Sequence, residues 1–272
     1  MTNIDTPLVT IVTPTFNSAQ FIGRLLRCIA DQSYNNVEHI VIDGGSTDGT
    51  IDILKQQQRA KWISEPDNGM YDAINKGMKM ASGSIVAYLN SDDLYSNDTI
   101  ERVVAFFAAH EETDLVYSDL RYIDEDEQTL FIRKYPSFSW RFFTVLDGST
   151  VPQQTCFWRR RVFDSVGFFD SSFRMAGDFE FFVRVGKSCV VSKILGSPLA
   201  QFRFHGAMQT LNRQALNDKE IERIHDMYGF PKSFSNSLLK LVATVRYRAT
   251  NPHRVRDKLF ARLSGKETKY RP

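Results

Sequence analysis

The chain has 272 residues, of which 42% are hydrophobic and 24% are charged. This composition is typical of globular proteins and argues against disordered, collagen-like and coiled-coil chains. The net charge is only +2, but residues 232–272 hold 11 Lys and Arg against 2 Asp and Glu. At about 100–200 residues per domain, the length predicts one large domain, or one domain with an appendage.

The sequence offers no clear pattern for a membrane-spanning helix, a secretory signal or a set of disulfides. No run of 18 apolar residues occurs, so no membrane-spanning helix is predicted, and the start of the chain lacks the pattern of a secretory signal. Cys28, Cys156 and Cys189 are far apart and form no CxxC pair. This spacing argues against a zinc cluster or a disulfide framework and favours the cytoplasm.

The first hundred residues alternate apolar, β-branched runs with amphipathic segments. Strands are predicted at 8–13, 37–42, 61–64 and 85–89. Helices are predicted after an N-cap at Ser18 and then at about 47–57, 71–80 and 98–109. This alternation indicates βαβ units and a parallel sheet, in which ligands bind beyond the carboxyl ends of the strands.

Each of these four strands is followed by small, polar or acidic residues. The segments concerned are 14–17, 43–49, 65–69 and 90–93. One such segment would indicate a turn, but four of them at one edge of a sheet predict a binding site.

The rest of the chain is more mixed. Strands are predicted at 114–118 and 130–133, helices at 159–166 and 178–185, and two short strands within 190–204. We expect a catalytic domain over residues 1–230. Residues 231–272 form a basic tail with helically spaced apolar positions.

No Gly-rich phosphate loop is present. The sequence has neither GxGxxG nor GxxxxGK[ST], so the usual dinucleotide fold and the P-loop are not supported. Carboxylates can meet a nucleotide's phosphates only through a divalent cation. Asp92 and Asp93 offer the oxygen ligands that Mg²⁺ or Mn²⁺ prefers, although an Asp-Asp pair can also simply cap a turn.

Three segments resemble the nucleotide-binding half of family 2 glycosyltransferases. They are VTIVTPTFN at 9–17, HIVIDGGSTDGT at 39–50 and SEPDNGMYDAINKGMKMASGSIVAYLNSDD at 64–93. The resemblance implies an α/β fold of the GT-A type, with a Rossmann-like, mostly parallel central sheet flanked by helices and a C-terminal helical appendage. Its nucleotide-sugar half would cover about 7–110 and its acceptor half about 111–230. Members are inverting enzymes that use nucleotide-diphospho-sugars.

The resemblance also implies which residues bind the donor. Asp43 would accept a hydrogen bond from the base, with uracil favoured and guanine or thymine as alternatives. The alternative for Asp43 is a turn aspartate, and Lys76 could equally be a solvated helix lysine instead of a phosphate ligand. The implied nucleotide-sugar-binding residues are Pro14, Thr15, Phe16, Asn17, Asp43, Asp67, Lys76, Asn90, Ser91 and Asp92.

Metal and catalytic residues follow from the same resemblance. Asp92 occupies the DxD position and would bind Mn²⁺ or Mg²⁺ together with His205, although Asn90 replaces the first aspartate. Asp178 matches the general base, although it could instead be a helix cap, and the Glu that usually precedes it is Gly177. On the acceptor side the candidates are Asp93, Gln154 and Glu180, of which Glu180 is a rival base.

The sequence thus predicts a metal-dependent, inverting glycosyltransferase, with a UDP-sugar favoured as donor. It would add one sugar to a glycan or lipid-linked oligosaccharide for a bacterial surface polysaccharide. A non-catalytic nucleotide-sugar-binding module and a nucleotidyltransferase are the alternatives. The basic tail favours the inner face of the cell membrane, with packing on the domain as the alternative. Nucleic acid is not an expected partner, because the body of the chain is acidic.

Overall fold

The computed structural model describes residues 6–206, 213–230, 241–242 and 245. Eleven strands occur among them. They are β1 (Val9–Thr15), β2 (Val37–Asp43), β3 (Ala60–Ser64), β4 (Ile85–Tyr88), β5 (Leu94–Tyr95), β6 (Leu115–Tyr117), β7 (Leu120–Ile123), β8 (Thr129–Arg133), β9 (Phe157–Arg159), β10 (Val191–Lys193) and β11 (Ala200–Arg203).

Helices connect most of the strands. They are α1 (Ile22–Ala30), α2 (Thr50–Gln56), α3 (Met70–Met80), α4 (Thr99–Ala109), α5 (Trp140–Val145), α6 (Val162–Val166), α7 (Gly177–Ser188) and α8 (Gln214–Tyr228), with a 3₁₀ turn at Gln153–Thr155. No helix in the described ranges combines the length and the apolar character needed to cross a bilayer. The predicted tail, 231–272, lies outside the described residues except for positions 241, 242 and 245.

The central sheet has seven strands in the order β10-β6-β9-β4-β1-β2-β3. The pairs β1–β2, β2–β3, β1–β4 and β6–β10 are parallel. All seven residues of β1 are buried, as expected for a central strand covered by helices on both faces. The mostly parallel α/β architecture predicted from the sequence is therefore confirmed.

One strand runs against the others. β9 lies between β4 and β6 and is antiparallel to both. The sequence prediction of a helix over 159–166 was wrong at its start, because Arg159 ends this strand and α6 begins only at Val162. The aromatic residues Phe157 and Trp158 are fully buried in the sheet, where strand pairing overrides the helical pattern.

Two predicted helix starts also differ. Ser18 does not cap α1 with its side chain, because its hydroxyl donates to the Phe16 carbonyl at 3.2 Å. The second helix begins at Thr50 and not near Thr47, since Gly49 takes a positive φ of 101° immediately before it. The residues ahead of that glycine remain in a loop at the end of β2.

A second, four-stranded sheet has the order β5-β11-β7-β8. It brings β11, late in the chain, beside β5, which follows the acidic segment after β4. Helix α8 packs its buried residues Glu220 and Ile224 inward. These two late elements therefore reach the same end of the molecule as the early strand ends.

Candidate active site

The carboxyl ends of β1, β2 and β3 lie side by side. Thr15 pairs with Asp43 in register, and Asp43 pairs with Ser64. The backbone N–H of Gly44 donates to the Thr15 carbonyl at 2.9 Å, which extends the pairing one residue past the strand. Three of the four predicted loops are thus neighbours.

Asp43 is fully buried and is held by its own loop. Its Oδ2 accepts hydrogen bonds from the N–H groups of Gly45 and Ser46, at 3.0 and 2.9 Å, and from the Ser64 hydroxyl at 2.7 Å. Its Oδ1 accepts the Ser46 hydroxyl at 2.5 Å. This is the turn role that the sequence left open, and the contact with a nucleobase stays a prediction.

Asp67 and Phe16 both lie close to Gly44 in this turn. A Cβ added to Gly44 would lie 2.6 Å from Asp67 Oδ2 and 3.4 Å from the Phe16 ring. The Phe16 side chain is 62% exposed, although it follows the buried residues Pro14 and Thr15. An exposed ring beside a glycine and a carboxylate suits a flat heterocycle.

Asn17 ties the first two loops together. It adopts a positive φ of 48°, its N–H donates to the Ser46 hydroxyl at 2.7 Å, and its Oδ1 accepts the Thr47 N–H at 2.9 Å. In the described structure Asn17 thus supports the loop around Phe16, and its contact with a donor stays a prediction.

Lys76 is engaged within the protein. Its Nζ lies 2.9 Å from Glu65 and 3.5 Å from Asp72, and the hydrogen bond with Glu65 raises the pKa of Lys76. The side chain is therefore neither free nor simply solvated. A phosphate contact would have to compete with these two carboxylates, and that role stays a prediction.

The fourth loop contains the clearest pairing of predicted residues. Asp92 Oδ2 lies 2.9 Å from His205 Nε2, although the two residues are 113 positions apart in the chain. His205 is buried and its ring lies 4.5 Å from that of Phe21, whereas Asp92 keeps part of its side chain exposed. The structure thus brings together the two residues predicted to bind a metal.

The chemistry of this loop fits a partial metal shell. Asn90 Oδ1 is buried without a hydrogen-bond partner, whereas the Ser91 hydroxyl donates to that of Ser18 at 2.8 Å. A carboxylate, an imidazole and an amide oxygen are ligands that Mn²⁺ accepts, and at 2.9 Å Asp92 and His205 are also within direct hydrogen-bond distance of each other. Within the described ranges, no three His, Cys, Asp or Glu side chains form a complete site. Phosphate oxygens and water would therefore supply the other ligands, as they commonly do for Mg²⁺.

Sequence analysis missed Arg203, which fixes this loop. The guanidinium is almost fully buried, and its Nε donates to the Asp92 carbonyl at 3.0 Å. It also pairs with Glu127 at 3.2 Å, and its backbone N–H donates to Asp93 Oδ1 at 3.1 Å. Its position two residues before the predicted ligand His205 was the available signal.

Asp93 faces the interior, away from bulk solvent. Burial and the neighbouring Asp92 raise the pKa of Asp93 well above its usual range. Its Oδ2 lacks a hydrogen-bond partner, and the nearby Gln154 side chain opposes the rise in the pKa of this carboxyl group. The side chain of Gln153 instead donates to the Tyr88 carbonyl at 2.9 Å. The predicted acceptor-side residues Asp93 and Gln154 therefore do lie together.

Asp178 sits in the first turn of α7 and is half-buried. Its Oδ1 accepts the N–H of Phe179 at 2.8 Å and the Tyr71 hydroxyl at 3.4 Å. Burial raises the pKa of Asp178, and these two hydrogen bonds oppose the rise. Tyr71 also explains Gly177, because a Cβ on Gly177 would lie 2.6 Å from the Tyr71 ring. One signal for Tyr71 was available in the sequence, namely its place within the family-like segment at 64–93.

Glu180, the rival base, is almost fully buried. Both of its carboxylate oxygens lie 2.8 Å from the Arg184 guanidinium, and the Tyr228 hydroxyl donates to one of them at 2.5 Å. With its charge compensated by Arg184, Glu180 has the surroundings of a structural ion pair within α7, and Tyr228 of α8 is hydrogen-bonded to it.

This chain is similar to known glycosyltransferases. A profile described as Glycosyl transferase family 2 matches residues 10–167. A PGL/p-HBAD biosynthesis glycosyltransferase of Mycobacterium bovis (strain BCG / Pasteur 1173P2) is 31% identical over 213 residues, which cover 74% of this chain and 79% of that protein. A putative teichuronic acid biosynthesis glycosyltransferase, TuaG of Bacillus subtilis, is 36% identical over 105 residues, which cover 37% of this chain and 42% of that protein.

Solved structures share the fold. S. aureus TarS 1–349 in complex with UDP-GlcNAc superposes with a TM-score of 0.62 at 18% identity, over 75% of this chain and 60% of that one. Mannosyltransferase PcManGT from Pyrobaculum calidifontis, in complex with GDP-Man and Mn²⁺, gives 0.60 at 17% identity, over 97% of this chain and 77% of that one. Both are glycosyltransferases whose fold is of the GT-A type.

Proposed function

This chain belongs to glycosyl transferase family 2, and from that membership we propose that it is a metal-dependent, inverting enzyme. It would move one sugar from a nucleotide-diphospho-sugar to a glycan acceptor. The observation that carries this proposal is the contact between Asp92 and His205 at the end of β4, beside the unpartnered oxygen of Asn90.

The donor site would be the surface formed by Phe16, Gly44 and Asp67. UDP is the favoured nucleotide, because uracil has a ring N–H whose hydrogen bond a carboxylate can accept. Oδ1 of Asp43 receives one hydrogen bond, from Ser46, so a base could reach Asp43 only if that serine side chain moves. UDP-GlcNAc in TarS and GDP-Man in PcManGT support a nucleotide-sugar donor without deciding the base.

Asp92 and His205 would hold Mn²⁺ or Mg²⁺, with the buried Asn90 oxygen alongside. When bound, such an ion supplies positive charge to the diphosphate as it leaves. The residues of this chain would do the remaining work. Arg203 fixes the backbone of Asp92, and the Asp92 carboxylate is thereby directed toward the edge of the sheet where the donor would lie.

Asp178 would be the general base. It would take the proton from the acceptor hydroxyl as that oxygen bonds to the anomeric carbon and the bond from that carbon to the diphosphate oxygen breaks. Attack from the side opposite the leaving group inverts the configuration. The raised pKa of Asp178 makes it a better proton acceptor than an ordinary aspartate, provided that the pH keeps it ionised.

The acceptor would be a lipid-linked glycan for a surface polysaccharide, elongated at the inner face of the cell membrane. The TuaG name supports the polysaccharide class. The three described tail residues, Leu241, Val242 and Val245, expose between 48% and 59% of their surface, as an interfacial segment would. Cys28, Cys156 and Cys189 are free, in keeping with a reducing cytoplasm.

A thermal-shift panel tests the donor and metal assignment. UDP, GDP, dTDP and CMP are each added with Mn²⁺, Mg²⁺ or EDTA, to wild type and to Asp92→Ala. At 100 times its dissociation constant a nucleotide stabilises the fold by about 2.7 kcal/mol. We expect one nucleotide to stabilise only with metal, and only the wild type. Equal stabilisation in EDTA would contradict metal dependence.

Transfer itself separates an enzyme from a binding module. The sugar form of the selected nucleotide is incubated with membrane-extracted glycolipids and the protein, and the radiolabelled sugar on lipid is counted. We expect Asp178→Asn to bind the nucleotide normally and to transfer about 10²–10⁴-fold more slowly. Full transfer by Asp178→Asn would remove it as the base, and binding without transfer by the wild type would favour the binding module.

A further inference from the structure

A buried carboxylate outside the donor loops contacts the segment that leads into α7. Glu220, on α8, accepts the backbone N–H groups of Arg174 at 2.8 Å, Met175 at 2.8 Å and Ala176 at 2.9 Å. Three consecutive N–H groups are thereby satisfied by one side chain, 44 to 46 residues away in the chain. Charged acceptors form the stronger hydrogen bonds of proteins, so this contact fixes the backbone before α7.

The fixed segment is connected directly to Asp178. The Tyr71 hydroxyl lies 3.0 Å from the Met175 carbonyl and 3.4 Å from Asp178 Oδ1, and it accepts the Asp178 N–H at 3.1 Å. Glu220 therefore holds the N–H side of Met175, while Tyr71 holds its carbonyl and also contacts Asp178. Movement of residues 174–176 would therefore displace both the Tyr71 hydroxyl and Asp178.

The same segment contacts the donor-side loop. The Arg174 guanidinium lies so close to Gly69 that a Cβ there would clash with it. Gly69 follows Asp67 in the loop at the end of β3 and takes a φ of 104°. Residues 174–176 thus bridge the loop assigned to the donor and the residue assigned to the acceptor's proton.

We propose that Glu220 is a positioning residue, which holds residues 174–176 and so fixes the Asp178 carboxylate relative to the donor loop. This inference rests on the function proposed for Asp178. A carboxylate is required, because it presents only acceptors to the three N–H donors, whereas a glutamine would turn its own N–H₂ group toward some of them.

The negative charge of Glu220 also affects the pKa of Asp178, and this effect can be measured. Burial is the main cause that raises the pKa of Asp178, and the negative charge of Glu220 raises it further. The titratable groups that interact with Asp178 include, among the described residues, Tyr71, Tyr88, Cys156 and Glu220. Glu220 is the carboxylate among these four, so replacing it by a neutral side chain should lower the pKa of Asp178.

Amide NMR tests the inference without a known donor or acceptor. The Phe179 N–H donates to Asp178 Oδ1, so the pH at which its chemical shift titrates reports the protonation of Asp178. Wild type is compared with Glu220→Gln and with Glu222→Gln, an exposed position on the same helix. Amide hydrogen exchange at residues 174–179 is followed in the same samples.

We expect Glu220→Gln to lower the titration midpoint of Phe179 and to speed exchange at 174–179 by at least tenfold, with β1 still protected. Glu222→Gln should match wild type. If Glu220→Gln unfolds, Glu220→Asp keeps the charge, and it should preserve the midpoint while exchange at 174–179 accelerates. An unchanged midpoint and unchanged exchange in Glu220→Gln would overturn the proposal.

Kinetics complete the test once a transferring donor is identified. We expect Glu220→Gln to lower kcat by about 10- to 100-fold, as a small misplacement of a reacting group does, while KM for the donor stays within twofold. An unchanged kcat in Glu220→Gln would overturn the positioning role. An inactive wild type whose NMR behaviour is as expected would instead refute only the function proposed for Asp178.

Discussion

At the scale of single residues, two carboxylates on one helix have different surroundings, and these surroundings suit them to different roles. Asp178 and Glu180 are two positions apart on α7, and both were candidates for the base. No cation among the described residues pairs with the half-buried Asp178, whereas Glu180 forms a bidentate pair with Arg184 and accepts the Tyr228 hydroxyl. A side chain held by a guanidinium is a poor proton acceptor, so the structure favours Asp178.

The pH dependence of transfer should report Asp178. The group is active when ionised, so kcat should fall as the pH drops through its raised pKa. Removing the Tyr71 hydroxyl deletes a hydrogen bond that lowers this pKa. We therefore expect Tyr71→Phe to move the acid limb of the kcat profile to higher pH. Tyr34→Phe, which loses a hydroxyl bonded to the Pro7 carbonyl, is the control. A shift to lower pH in Tyr71→Phe would contradict the assignment.

How far the sequence predicts the site depends on what each residue contacts. Asp92 lies in a loop whose position follows from strand–helix alternation, and the resemblance to a family linked it to His205. Arg203 and Glu220 bind mainly backbone groups of distant loops. Backbone groups are the same at every position, so their partners leave no pattern in a single sequence.

At the scale of elements, close packing between α3 and α7 accounts for a departure from the family pattern. The ring of Tyr71 occupies the space beside Gly177 that a side chain would need. The sequence identified Gly177 as a missing acidic residue, but it could not predict that an aromatic ring fills its place. Which side chains of two helices face each other depends on how the helices pack, and the sequence of two segments far apart in the chain does not show this.

Substitution of this glycine should therefore be costly. We expect Gly177→Ala to lower the free energy of unfolding by about 1–3 kcal/mol, because the added methyl group overpacks the Tyr71 ring. Gly23→Ala in helix α1 is the matched control, since its Cβ would lie at an ordinary contact distance of 3.7 Å from Ile53 of α2, and it should stabilise the fold by about 0.5–1 kcal/mol. Urea denaturation measures both. Equal stability of the two variants would contradict the packing argument.

At the scale of the whole molecule, charge is divided between body and tail. Residues 1–231 hold 23 Lys and Arg against 30 Asp and Glu, whereas residues 232–272 hold 11 against 2. An acidic body is repelled by an anionic membrane, so only the tail could direct the protein to one. Binding should then be electrostatic, and it should weaken with salt.

Vesicle sedimentation checks this expectation. The protein should bind vesicles rich in anionic lipid and should not bind neutral ones. Replacing Arg254, Arg256 and Lys258 by glutamine should weaken binding roughly 100-fold, at about 1 kcal/mol per basic residue. The same number of charges removed from the body, at Arg27, Lys55 and Lys219, should leave binding unchanged. Equal losses in both variants would indicate a general charge effect and not a tail-directed one.

The antiparallel strand β9 has a consequence for the order of synthesis. The central strand β4 is translated roughly 70 residues before β9, its neighbour in the sheet. At about 5–20 residues per second, one edge of β4 stays unpaired for several seconds on the ribosome. An open, apolar edge of that kind invites pairing with other chains. A chain truncated near residue 110 should therefore be insoluble. A chain truncated after β9 should not leave this edge of β4 open.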